Sequence, residues 1–257
     1  MANPIFKILF CIFALLTVHQ INCIPSALAN INHIRNAYDE AHVRVFMLDY
    51  DGTLPRVRGT NDLRNLIGGL AVDSKNIICI NSARPVYNSI GEFQNLNNVI
   101  IVGEHGAHYV AATEEVAPAA SGEGTMWYNS MLTIQSAITD QYLNILRVNP
   151  NGNNYYRADR SGNFINIIPR TQHKGNFVEN YMRTFMASHS EAKVFGISIG
   201  DEMADEAMHL VMNKHGLFSA LVGNKVNMDE TVADYHLENE GQTGQLLQQL
   251  SRYNPNN

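Results

Sequence analysis

The sequence predicts an α/β protein, a parallel-sheet core of the Rossmann-like kind carrying a smaller inserted α+β domain. Three observations predict it. Short apolar runs at Val43–Leu48, Ile77–Ile80, Val99–Val102 and Val194–Ile199 have the β-branched and aromatic content of strands buried on both faces. Amphipathic helical stretches separate the runs, as parallel strands require. Between residues 147 and 168 the period changes to alternating runs broken by Gly-Asn turns, which read as antiparallel strands.

The chain has 257 residues, enough for one large α/β domain or a core with a smaller insert. Hydrophobic residues make up 45% and charged ones 16%, a balance that can bury a real core. Net charge is −6 and no long basic run occurs, which argues against nucleic acid or an anionic membrane surface as partner.

Residues 1–29 differ from the rest. Lys7 precedes the apolar run Ile8–Val18, and Ala27-Leu28-Ala29 offers small residues for cleavage, with a cut after Ile21-Asn22-Cys23 as the alternative. This is the layout of a secretory signal peptide, and the run is too short for a spanning helix. The expectation is a secreted or periplasmic protein with no stable membrane insertion once the leader is gone. Cys11 and Cys23 lie in the leader, so only Cys79 remains and no internal disulfide can form. Cys79 sits inside a strand pattern and reads as a small packed residue.

The first strand runs into Asp49-Tyr50-Asp51-Gly52-Thr53-Leu54. Carboxylates at the mouth of a buried strand need a cation or a hydrogen-bonding cage. The carboxyl end of a parallel strand is also where open α/β sheets hold ligands. A helix follows through Leu63, Leu66, Ile67 and Leu70. The second strand ends in Asn81-Ser82-Ala83-Arg84, where Ser82 either caps the following helix or meets a phosphate oxygen. The third enters Gly103-Glu104-His105-Gly106-Ala107, with Glu104 and His105 either shaping a pocket rim or forming a turn.

A helical pattern spans residues 127–146, followed by the alternating runs. Such a block between parallel-sheet elements reads as a lid inserted at residues 110–170. Lys174 then opens an amphipathic helix through Phe177, Tyr181, Phe185 and Met186. A lysine there opposes the helix dipole, so an anionic partner is expected. The fourth strand runs into Gly200-Asp201-Glu202-Met203-Ala204-Asp205-Glu206, four carboxylates within six residues, which calls for a hard cation such as Mg²⁺. The chain closes with Phe218–Asn224, Thr231–Leu237 and a helix at Gln245–Arg252. No histidine pair has zinc spacing and no Gly-x-Ser-x-Gly elbow occurs.

Leu48-Asp49-Tyr50-Asp51-Gly52-Thr53-Leu54 resembles the nucleophile motif of the haloacid dehalogenase-like phosphatases, and Tyr50 brings it near the trehalose-phosphate phosphatase branch. Ser82-Ala83-Arg84, where that branch usually reads Ser-Gly-Arg, Lys174 and Gly200–Glu206 resemble the second, third and fourth motifs. Gly103–Ala107 and the run Thr231-x-Ala233-x-Tyr235-x-Leu237 are similar as well. The resemblance implies a haloacid dehalogenase-like core at residues 30–109 and 171–257, with a cap at 110–170. It implies Asp49 as nucleophile, Asp51 as acid and base, Ser82 and Lys174 on the phosphate, and Arg84, Glu104 and His105 on the substrate. It further implies Mg²⁺ at Asp49, Asp51, Asp201 and Asp205.

The implied function is a Mg²⁺-dependent sugar-phosphate phosphatase, expected as a monomer, with trehalose 6-phosphate as leading substrate. The lid stretches Val148–Asn151 and Asn163–Asn166 carry Asn where the family has charged side chains. A phosphatase acting on another sugar phosphate, or a binding protein on an inactive scaffold, are the alternatives.

Overall fold

The computed structural model describes residues 24–55, 62–84, 86, 93–106, 108–112, 156–161, 164–169 and 173–251. Most of the expected leader and the helix expected at 127–146 lie outside them. Chain order is α1 (Ile31–Glu40), β1 (Val43–Asp49), α2 (Asp62–Ala71), β2 (Asn76–Asn81), β3 (Val99–Gly103), β4 (His108–Ala111), β5 (Tyr156–Ser161) and β6 (Phe164–Pro169). It continues through α3 (Lys174–Ser188), β7 (Val194–Gly200), α4 (Glu206–Lys214), β8 (Phe218–Val222), β9 (Tyr235–Leu237) and α5 (Glu240–Leu250).

Seven strands form one sheet in the order β4-β3-β2-β1-β7-β8-β9, parallel except where β4 runs antiparallel to β3. The chain winds outward from β1 through β2 and β3, then returns to lay β7 on the other side of β1. That reversal opens a crevice at the carboxyl ends of β1 and β7. Register places it: Leu48 pairs with Ile199 and Asp49 with Asn81, so Asp49 and the Gly200-Asp201 step emerge at one level.

Side-chain alternation along β1 builds a core on each face of the sheet. Phe46 and Leu48 pack with Ile34, Tyr38, Ile67, Leu70 and Leu247, residues of α1, α2 and α5. Val45 and Met47 pack with Phe177, Met182, Met208 and Met212 of α3 and α4. Cys79 is fully buried in this second core, as the strand pattern predicts. Covering both faces with helices is what lets the strands be apolar throughout.

β5 and β6 form a separate two-stranded antiparallel hairpin, in line with the alternating pattern read there. The last helix corrects the sequence expectation. It begins at Glu240, five residues before Gln245, because Asn239 caps it by accepting a hydrogen bond from the Gln242 amide at 3.2 Å. Its first turn, Glu240-Gly241-Gln242, lacks apolar residues, so hydrophobic spacing could not reveal the start.

Residues 24–30 belong to the folded sheet edge. Ser26 bridges His236 in parallel fashion, the Ala27 amide donates to His236 O at 2.9 Å, and the His236 amide donates to Pro25 O at 2.9 Å. Ala27 is completely buried and Ile24 packs beside Leu221 and Val226. Among the described residues, no helix is long and apolar enough to cross a membrane.

Candidate active site

Asp49 is the last residue of β1 and is buried, with both carboxylate oxygens engaged. Oδ1 takes the Lys174 ammonium, and Oδ2 accepts a hydrogen bond from Thr53 Oγ1 at 2.9 Å. Thr53 reaches Asp49 because the chain turns at Gly52, which adopts φ +82°. A side chain there would be strained, and its Cβ would also stand 2.2 Å from Asp201 Oδ2. The Asp-Gly-Thr order therefore serves geometry: glycine lets the loop pass the second acidic residue, and threonine orients the first.

Lys174 opens α3 and is buried between two acids, ion-paired to Asp49 and donating to Asp205 Oδ1 at 2.7 Å. Two carboxylates resolve its unfavourable place on the helix dipole. Burial opposes the charged lysine, but Asp205 and Asp49 outweigh it and push its pKa up. Asn81 helps seat it, donating through Nδ2 to Lys174 O at 3.3 Å.

Asp201 follows β7 and lies buried beside the same pocket, with Thr53 Oγ1 3.3 Å from its Oδ1. Asp205 is fully buried and differs in its commitments: Oδ1 accepts from Lys174, while Oδ2 accepts from the Asp201 and Glu202 amides at 3.0 Å each. Gly200 permits this loop, since a Cβ on it would meet Asp205 Cβ at 2.4 Å. Asp205 thus ties the loop together and holds the lysine.

One oxygen from each of Asp49, Asp201 and Asp205 lies within 4.8 Å of the others. Burial, with neighbouring carboxylates adding to it, pushes the Asp49 pKa up to about 8 despite Lys174. Burial likewise raises Asp201, against the pull of Lys225. Burial would raise Asp205 too, but the Lys174 ammonium prevails and holds it below the usual carboxylate range. Two acids whose charge burial disfavours, with all-oxygen donors, suit a hard divalent cation. Asp205 is the less available direct ligand, because its Oδ2 is committed to two backbone amides as well as its Oδ1 to Lys174, which leaves Asp49 and Asp201 better placed.

Asp51 and Arg84 meet at the exposed side of the site. Arg84 Nε donates to Asp51 Oδ2 at 2.6 Å, and Nη2 pairs with Oδ1. Ser82 is buried and its Oγ accepts from the Arg84 amide at 3.1 Å, so it organises the turn that presents the guanidinium. Glu104 and His105 are buried in a short 3₁₀ turn with φ of 55° and 56°. The Glu104 amide donates to Arg84 O at 2.9 Å and the His105 amide to Ser82 O at 3.2 Å. Burial raises the Glu104 pKa.

The candidates thus form an inner group of Asp49, Lys174, Asp201 and Asp205, and an outer pair of Asp51 and Arg84. Glu104 and His105 are fastened through backbone to the Ser82–Arg84 turn. Sequence reasoning missed Thr53, although it stands inside the motif, and also Asn81 and Lys225. Lys225 ion-pairs with Asp201 and donates to Glu202 Oε1 at 3.1 Å from a loop 23 residues further on. No local pattern announces it.

The family model described as Trehalose-phosphatase matches residues 47–144. In that stretch and in its fold the chain is similar to trehalose-phosphatases. The C-terminal domain of C. albicans trehalose-6-phosphate phosphatase superposes with a TM-score of 0.68 at 21% identity, covering 88% of this chain and 97% of that one. An Aspergillus fumigatus trehalose-6-phosphate phosphatase gives 0.59 at 18% identity, over 88% and 98% of the two chains. The C-terminal domain of a Candida albicans trehalose synthase regulatory protein gives 0.60 at 12% identity, over 89% and 99%. At these identities the superpositions establish the fold alone. No curated protein gives a match.

Proposed function

We propose that the protein is a Mg²⁺-dependent phosphatase that converts trehalose 6-phosphate to trehalose and phosphate through an aspartyl-phosphate on Asp49. The single observation that carries this is the buried group of Asp49, Asp201 and Asp205 with Lys174 wedged among them. A structural acidic cluster would not require a strand-end carboxylate aligned by Thr53 on one oxygen and by a lysine on the other.

Asp49, Asp201 and the Asp51 backbone carbonyl would hold the ion, with Asp205 beside them. When bound, Mg²⁺ offsets phosphoryl charge and favours the carboxylate form of Asp49. The chain's own residues do the rest. Lys174, fixed by Asp205, neutralises a further phosphoryl oxygen, and Ser82 with the Arg84 turn receives another. A bond forms between an Asp49 oxygen and phosphorus while the bond from phosphorus to the sugar oxygen breaks. Asp51 gives that oxygen a proton. Water then attacks phosphorus, returning a proton to Asp51 and the Asp49 carboxylate to its starting state.

Residues 110–170 are proposed to cap the site and recognise the sugar. Export of the mature chain belongs to the same reading, on the strength of the apolar Ile8–Val18 run. A phosphatase acting on another sugar phosphate is the second reading, favoured by the Asn-rich stretches of the cap region. Phosphate release from a panel of sugar phosphates, with Mg²⁺ and with chelator, separates them. The proposal expects trehalose 6-phosphate to give the highest kcat/KM. Preference for another sugar phosphate selects the second reading, and no Mg²⁺-dependent release from any member overturns both.

A further inference from the structure

We propose that Lys225 is a built-in rival of the divalent ion for Asp201 and so sets how tightly the site holds that ion. The inference rests on the metal reading above and concerns a residue outside the family-like motifs.

Lys225 projects from the loop after β8 and places its ammonium against Asp201 Oδ2, an oxygen that accepts no other hydrogen bond among the described residues. The ammonium lies over the Gly52 turn, 3.0 Å from where a Cβ on that glycine would stand. It is therefore at the edge of the same oxygen cluster that suits the cation. Two positive charges cannot both press on one buried carboxylate oxygen without mutual repulsion, which in partly buried surroundings is substantial. Binding the ion at Asp201 must displace the lysine or proceed against it.

The surroundings allow displacement. The Lys225 side chain is 53% exposed and keeps Glu202 as a second partner. It also lines a cleft of about 440 Å³ whose walls include the carboxylates Glu238 and Glu240. Lys174 is the contrast: only 6% exposed and locked between Asp49 and Asp205, it has nowhere to go. Of two lysines on one acidic cluster, Lys174 is a fixed part of the site and Lys225 an exchangeable one.

The exchange predicts opposite effects on the metal-free and metal-loaded protein. Replacing Lys225 by Met keeps the length and apolar character of the stem and removes the charge. Without metal, the acidic cluster loses a counter-charge and the protein melts lower. With metal, the competitor is gone and affinity rises.

The test is Mg²⁺ titration by calorimetry on the wild type, Lys225→Met, Lys225→Arg and Asp201→Asn, with melting temperatures in Mg²⁺ and in chelator. The expected result is a Kd about tenfold lower for Lys225→Met, equal to about 1.4 kcal/mol. A larger melting shift on adding Mg²⁺ should accompany it, and Lys225→Arg should stay near the wild type. An unchanged or weaker Kd for Lys225→Met, with binding lost in Asp201→Asn, overturns the proposal and leaves the metal reading standing. Absence of Mg²⁺ binding in both the wild type and Lys225→Met removes the metal reading and this proposal with it.

Discussion

Arg84 grips Asp51 with two edges of its guanidinium, Nε to Oδ2 at 2.6 Å and Nη2 to Oδ1. The sequence assigns these residues separate duties, one to the substrate and one to proton transfer. The structure makes them a single unit at the open side of the site, where both side chains are 43% exposed. Arg84 fixes where the Asp51 carboxylate points, so a substrate anion drawing the arginine away would free the acid at the leaving group.

Arg84→Ala should therefore lower kcat by roughly tenfold, at the lower end of what misplacing a general acid costs, because water screens this half-exposed pair. Mg²⁺ affinity should not change. Arg84→Lys, which cannot form the two-edged contact, should recover only part of the loss. Steady-state kinetics with parallel metal titration checks it.

Lys174 carries a heavier structural duty. Its removal leaves Asp49 and Asp205 facing each other in a buried site with no cation between them. Breaking a buried pair in this way costs about 3–5 kcal/mol. Lys174→Met should unfold at lower denaturant concentration by that margin in chelator, and added Mg²⁺ should restore part of it. Equal stability in chelator for Lys174→Met and the wild type would contradict the wedge described for this lysine.

The pH dependence of metal binding follows from Asp49, whose pKa burial pushes up to about 8. Between the ordinary carboxylate range and that value, the folded metal-free protein holds a proton on Asp49 that a divalent ion must displace. Affinity for Mg²⁺ should consequently rise with pH across that window, by up to about tenfold per pH unit, and level off above it. Asp49→Asn, with no proton to release, should flatten the slope. Calorimetric titrations from pH 6 to 9 give the answer.

The N-terminal edge makes a prediction about processing. Residues 24–29 supply the parallel partner of His236 and the buried Ala27, so removing them uncovers the end of β9. A chain beginning at Asn30 should be less stable than one beginning at Ile24 by roughly 2–4 kcal/mol, from lost hydrogen bonds and apolar burial. Scanning calorimetry of the two chains measures it. Indistinguishable melting would show that this edge contributes nothing.

What the sequence made legible follows from what is local. The ends of β1, β2 and β7 could be read because each strand is a contiguous apolar run whose polar residues arrive at once. Parallel pairing then brings those ends to one level. Asp49, Asp201 and Asp205 are legible in the sequence for that reason, and Lys174 is legible from its place against the helix dipole. The pairing of Arg84 with Asp51 and of Lys225 with Asp201 was not readable, since each depends on how a loop from a different strand folds over the site. Asp205 was read as a metal ligand, yet its oxygens mostly serve two amides and a lysine, a division of labour that spacing cannot express. The start of α5 escaped because its cap is polar and its first turn has no hydrophobic mark.

The most direct test of the central claim is to trap the phosphoryl group on Asp49. In rapid acid-quench experiments with trehalose 6-phosphate and Mg²⁺, peptide mass mapping should find one phosphoryl group on the peptide containing Asp49. It should be present in the wild type during the first turnover and absent from Asp49→Asn. Turnover by the wild type with no phosphopeptide at any quench time, together with undiminished phosphate release by Asp49→Asn, would contradict the account.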